Sequence, residues 1–197
     1  MGRGSNSAGG LRGTLEQDTR YKGRIRNVES LKNMKDQALY KATKEAISNF
    51  SAKLGVPERN VKLADLDGNV TAIGSKGQVY LNKKYFNQSK KDFAKTMKEM
   101  YDSGHATKTN KPLAHIATHE LAHAAWTSDF PSAKAQAAGK QIKSLYKSWL
   151  KGGGKGYGKY AFSNVDEFWA EVSTKAAHGK ADKYTKAAKA IYKKFNL

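Results

Sequence analysis

The chain of 197 residues contains no cysteine. That absence excludes a disulfide scaffold, a thiolate metal site and a cysteine nucleophile at once. No apolar run approaches the ~20 residues that a membrane-spanning helix needs. The opening segment MGRGSNSAGG lacks the apolar stretch of a signal peptide, and Asn6 stands where a myristoylation signal wants Ser or Thr, so no membrane association is expected. Acids are scarce: 17 Asp and Glu against 36 Lys and Arg give a formal net charge of +19. Arginine is also confined, with all six at or before Arg59. Lysine is a hydrated point charge, whereas arginine supplies the planar fork that reads phosphates and base edges. The basic balance therefore suggests a diffuse, polyanion-tolerant surface capable of non-specific DNA contact, rather than a dedicated nucleic-acid site.

What is present suffices for one core. Hydrophobic residues make up 39% of the chain and its length suits a single domain. Residues 1–29 read as a flexible basic N-terminal arm: a Gly/Ser/Arg-rich stretch over 1–13, then a polar extension. Residues 30–197 read as the folded domain. Leu31, Met34, Ala38, Leu39, Ala42, Ala46, Ile47, Phe50 and Leu54 recur at helical steps, with Ser30 as a cap and Gly55 and Pro57 as the stop. Two or three short antiparallel strands follow over 61–66, 70–73 and 78–81, separated by Asp67-Gly68-Asn69 and Gly74-Ser75-Lys76-Gly77. A helix covers 88–101. Further helices open at Pro112, Pro131, near Asn164 and near Ala181, with a glycine-rich loop at 151–159. The order predicts an α+β fold: a small antiparallel sheet, then a mainly helical C-terminal half.

One constellation carries chemistry. His119-Glu120-Leu121-Ala122-His123 lies inside a predicted helix. Residues four apart share a face, so His119 and His123 can present two imidazoles to one metal ion, with Glu120 beside them as a general base toward water. The same pattern also occurs by chance on solvent-facing helices. The apolar residues Leu113, Ile116, Leu121 and Ala125 favour a buried, rigid platform here.

A catalytic zinc takes three protein ligands and keeps one open position. His105, His115 and His178 are candidates for the third. His115 stands four residues before His119, but the outer two of a three-histidine stripe lie ~12 Å apart on a straight helix. It therefore reads better as a residue that supports a ligand, or as a cap. Nothing after His123 supplies a further glycine and histidine of the metzincin kind. The segment Asn164-Val165-Asp166-Glu167-Phe168-Trp169-Ala170-Glu171 offers Glu167 and Glu171 on one helix face. Glu167 can be a ligand, or can close a capping box with Asn164. Glu171 can fix the ring of His119 or His123.

Together, His119–His123 and the later Tyr160-x-x-x-Asn164-x-x-Glu167-Phe168-Trp169-Ala170-Glu171 resemble zincin-like metallopeptidase domains of the gluzincin, anthrax lethal factor type. Close relatives of that type occur as phage-associated domains joined to head-morphogenesis proteins. The resemblance spans about residues 40–197. It departs at Trp169, where the family has a second Phe, and in the Lys/Gly-rich loop before Tyr160, while residues 1–29 have no counterpart. It implies Zn²⁺ as cofactor, Glu167 as the third ligand, and Tyr160 as the group that stabilises the oxyanion. Gly77–Asn82 is similar to the strand before the active-site helix, and the sheet's edge strand pairs with substrate in such domains.

These readings converge on a zinc-dependent peptidase acting on a peptide or protein, with phage capsid or portal proteins as partners and a virion or host-cytoplasm location. A lysine-rimmed cleft would favour acidic residues near the scissile bond. Two alternatives stay open: a basic virion-associated or DNA-contacting protein with an inactive zincin fold, and a toxin-like peptidase.

Overall fold

The computed structural model describes Tyr21 and residues 23–197, and its first regular element is a strand, β1 (Ile25–Ser30). The sequence-based boundary at residue 29 thus cuts through part of the sheet. β1 shows no alternation because a bulge interrupts its register between Arg26 and Glu29, and only Ile25 is buried. The Gly/Ser/Arg-rich segment 1–13 lies outside the described residues.

Ser30 does cap, but it caps a single 3₁₀ turn at Leu31–Asn33. The helix α1 (Gln37–Leu54) starts later, where the Asp36 carboxylate accepts the N–H groups of Ala38 and Leu39 at 2.8 Å. It ends at Gly55, whose φ of 68° closes the last turn. Leu39, Ala46, Ile47, Phe50 and Leu54 form its buried stripe.

Strands β2 (Val61–Leu66), β3 (Ala72–Ser75) and β4 (Gln78–Asn82) complete a four-stranded sheet of order β1-β2-β4-β3. The sheet is mixed rather than wholly antiparallel. β1·β2 and β3·β4 are antiparallel, while β2 and β4 run parallel with Val61 opposite Val79 and Leu63 opposite Leu81. Val79, Tyr80 and Leu81 are all buried, as befits an inner strand covered on both faces. Leu63, Val79 and Leu81 face the main core, whereas Ala64, Leu66 and Tyr80 join Ile25 on the other side. Among the described strands, β3 stands at the edge.

Helices α2 (Lys83–Phe86) and α3 (Lys90–Asp102) follow. The rest of the described chain is helical: α4 (His115–Trp126), α5 (Ala133–Lys151), α6 (Val165–His178) and α7 (Lys183–Phe195). Trp149 of α5 stacks on Phe168 of α6 with centroids 4.9 Å apart, and Trp169 of α6 stacks on Tyr192 of α7 at 4.8 Å. These pairs clamp three helices together.

α4 is the central helix, with nine of its twelve residues buried. Its small residues let β3 approach to backbone contact. A Cβ placed on Gly74 would lie 2.0 Å from the Glu120 carbonyl oxygen, so only glycine fits there. The turn after β3 is tied on as well: Gly77 N–H donates to Ala124 O, and Lys76 N–H to Thr127 Oγ1, both at 2.9 Å. Gly74→Ala should therefore force β3 off α4 and destabilise the protein by about 3 kcal/mol, or about 6–12 °C in Tm. Thermal melts of the variant check this, and an unchanged Tm would show that the strand can shift freely.

Candidate metal centre

The two helices that carry the motifs, α4 and α6, pack side by side. On α4, His115, His119 and His123 follow one another at single-turn intervals; on α6, Glu167 and Glu171 do the same. His119 stands between the two carboxylates. Its Nδ1 lies 3.0 Å from Glu171 Oε1, and its Nε2 lies 2.9 Å from Glu167 Oε2. His123 Nε2 lies 3.2 Å from His119 Nε2 and 3.4 Å from Glu167 Oε2. Two groups thus bring three ligand atoms within 4.8 Å of one another: His115, His119 and Glu171, all buried, and His119, His123 and Glu167. Each is a His-His-Glu set that could hold a metal ion.

The capping alternative for Glu167 is settled by its neighbour. Asn164 Oδ1 accepts the N–H groups of Asp166 and Glu167, both at 2.9 Å, and starts α6 by itself. The Glu167 carboxylate is turned to the histidines instead.

Glu171 is 1% exposed, yet its oxygens are satisfied. Oε1 accepts N–H groups from both His115 Nε2 and His119 Nδ1 at 3.0 Å, and Oε2 accepts the Thr107 backbone N–H at 2.6 Å. With Nε2–H donated to Glu171, His115 Nδ1 accepts from the Tyr101 hydroxyl at 3.3 Å. His115 is therefore no cap; it supports Glu171 from the side away from His123. His178 is buried too, but it lies in neither candidate group.

Tyr160 stands over the centre, its ring 5.6 Å from that of His119 and 5.1 Å from that of His105. Two backbone bonds hold it there, from Lys159 N–H to Gly104 O (2.8 Å) and from Tyr160 N–H to His105 O (3.0 Å). Gly158 makes this clamp possible: a Cβ would lie 2.4 Å from the Ala106 carbonyl carbon. Its N–H also donates to Thr107 Oγ1 at 2.9 Å. The glycine-rich loop is thus docked at its last glycine.

A cleft runs between β3 and α6, in two lobes of about 350 and 370 Å³ that share Ala72, His119, Glu120 and Tyr160. One lobe is largely apolar, with Tyr85, Phe93, Met100 and Ile116; the other holds His123, Asp166 and Glu167. Among the described residues, no lysine or arginine lines either lobe. The lysines expected at the cleft from composition are thus not among its described lining residues. A larger hollow of about 670 Å³, between β1 and α1, contains none of the histidines.

Electrostatics follow from the pairing. Burial alone would lower the His119 pKa, but hydrogen bonds to Glu167 and Glu171 overcome it and hold the ring up to about 10. Burial would raise Glu167, yet His119 and His123 pull it down to about 2. Burial likewise opposes, and His115 and His119 outweigh it, in keeping Glu171 well below the carboxylate range. Burial and the surrounding carboxylates raise Tyr160, which keeps its phenol proton.

Sequence reasoning missed Gly74, Thr107, Gly158 and Tyr101. The two glycines sit in segments that read as loops, and Thr107 and Tyr101 act through individual hydrogen bonds that spacing along the sequence does not reveal.

A scan against protein-family models and searches of curated proteins and of solved structures return no match.

In the metal-free protein, the raised His119 contributes stability fully below its ordinary 6.5 and loses it as pH rises toward 10. The depressed Glu167 contributes fully above 4.5 and loses it as pH falls toward 2. Both contributions are complete only between those two ordinary values. At pH 7 a metal ion must displace the His119 proton, so loading should release about one proton per ion. Calorimetric titration with Zn²⁺ in buffers of different ionisation enthalpy measures the count. No release would mean that the ring is already neutral.

Proposed function

We propose that the chain is a zinc-dependent hydrolase of peptide bonds, with His119, His123 and Glu167 as the metal ligands. One observation carries this reading: three donor atoms from two rigid helices converge at 2.9–3.4 Å from one another, beside Glu120 and Tyr160 in an open cleft. Tetrahedral ligands about 2.0–2.1 Å from a zinc ion stand about 3.3 Å apart, so the donor set suits that ion. The alternative group around His115 is already closed by its own hydrogen bonds and by Thr107. It fits the supporting role better, with Glu171 fixing the His119 ring and His115 holding Glu171.

When bound, Zn²⁺ would supply Lewis acidity, making water easier to deprotonate and a carbonyl easier to attack. The chain's own groups divide the remaining work. Glu120 lines both lobes and takes the proton from the attacking water. Tyr160, kept protonated by its surroundings, donates to the oxyanion as charge develops. Among the described residues β3 is the last strand of the sheet and lines the cleft, where an extended peptide backbone can add as a further strand. A phage setting, with capsid or portal partners and a virion or host-cytoplasm location, is supported by the motif resemblance alone.

Zinc-loaded protein should cleave an unstructured protein such as casein, stop with chelator, and recover with Zn²⁺. Glu120→Gln should keep its zinc by elemental analysis while turnover falls about 10²–10⁴-fold. Glu167→Ala should lose zinc. Undiminished turnover in Glu120→Gln, or full zinc in Glu167→Ala, overturns the assignment. Tyr160→Phe should lower kcat about 10²–10³-fold with little change in KM, as steady-state kinetics would show.

A further inference from the structure

α5 and α7 contribute no residue to the cleft, and they carry much of the chain's positive charge. α5 holds Lys134, Lys140, Lys143, Lys147 and Lys151, and α7 holds Lys183, Lys186, Lys189, Lys193 and Lys194. Neither helix contains an acidic residue. Lys134 pairs with Asp129. Among the described residues, no ion pair engages the other nine.

The placement is ordered. Lys140, Lys143, Lys147 and Lys151 follow at intervals of three, four and four; Lys186, Lys189 and Lys193 follow at three and four. Each set therefore forms a row along one face of its helix, and all seven side chains are exposed. Between the helices lies a shallow depression of about 450 Å³, lined by Gln141, Ser144, Leu145, Ser148, Ile191 and Lys194 with two alanines. At 100° per residue, each lysine row lies roughly a quarter-turn or slightly more away from this floor, on the outer flank of its helix. Two packed helices with axes 8–10 Å apart and side-chain diameters of 10–12 Å then set the rows at most about 20 Å apart. A row of eleven residue steps is about 16 Å long, over which a duplex presents about ten phosphates.

We propose that α5 and α7 form a cradle for the phosphate backbone of a nucleic-acid duplex, held without regard to base sequence. Two rows give each strand of a duplex its own line of lysines, whereas a single strand could meet only one row. No aromatic side chain lines the floor to stack on bases. The absence of arginine leaves nothing suited to bidentate base reading. A membrane surface is the poorer fit, because both helices bury their apolar stripes in the core rather than offering them to lipid. Of the lining groups, Gln141, Ser144, Ser148 and Lys194 suit phosphate oxygens.

Fluorescence anisotropy with a labelled DNA duplex of about 30 mixed base pairs tests this; about 10³-fold weaker binding is expected between 50 and 200 mM salt. Lys143→Glu/Lys147→Glu/Lys151→Glu, and separately Lys186→Glu/Lys189→Glu/Lys193→Glu, should each weaken Kd at least about 10-fold and flatten the salt slope by about 2–3. The control Lys90→Glu/Lys91→Glu/Lys95→Glu on α3 makes the same change in net charge and should weaken Kd less than about 3-fold. Circular dichroism should be unchanged in all three. Four results would overturn the cradle: no duplex binding at 50 mM salt, equal loss in the control, single-stranded DNA bound as tightly as duplex, or capture of phosphatidylserine vesicles through these lysines without duplex binding.

Discussion

The site depends on one buried carboxylate. Glu171, withdrawn from water inside α6, would cost several kcal/mol if its charge were left uncompensated. Three N–H groups compensate it, and they come from different parts of the chain: two rings on α4 and the backbone of Thr107. The relative position of α4, α6 and the loop after α3 is therefore set by the need to satisfy a single side chain. Thr107 extends the constraint, because its hydroxyl receives the Gly158 N–H two residues before Tyr160. The ring over the centre and the donors beneath it are thus parts of one hydrogen-bonded assembly. Each member is held by groups that are themselves held.

Charge is sorted in space as sharply as it is scarce or plentiful in sequence. The cleft gathers Glu120, Asp166, Glu167 and Glu171 and has no lysine or arginine among its described lining residues. The lysines lie on helices packed against the other side of α6 and on outer faces. A net charge of +19 is compatible with a cation-binding cleft because lining and exterior are built from different helical faces. Lysines kept out of the cleft cannot compete with a metal ion for its carboxylates. Among its described lining residues, the histidines are the groups that share that negative charge.

How much of this was legible depended on whether a feature has a period. The α+β order, the helix under His119 and His123, and the helix under Glu167 and Glu171 all follow from four-residue spacing, which fixes which side chains share a face. Strand existence followed from alternation, but strand direction did not, because a period of two is the same for parallel and antiparallel neighbours. β1 was hidden by its own bulge. The late start of α1 came from Asp36, a stronger cap than the apolar rhythm running through it suggested. From sequence Gly74 reads as part of a loop, because glycine usually marks one. In the fold it is a strand residue with another backbone pressed on it. Composition gives the number of lysines and not their places, so it carries no address for the cleft.

The contact between Gly74 and Glu120 also bears on how such a cleft changes with mutation. Its lower wall is gauged by main chain against main chain: Gly74 against the Glu120 carbonyl, with Gly77 hydrogen-bonded to Ala124 one turn further on. Side chains can be exchanged along β3 and α4 without altering that separation. The lining around Tyr85, Phe93 and Met100 is then free to drift in shape and polarity, while the distance from strand edge to the His119 helix is inherited unchanged. A lineage carrying this fold could reshape the cleft without moving the histidines and carboxylates that face it.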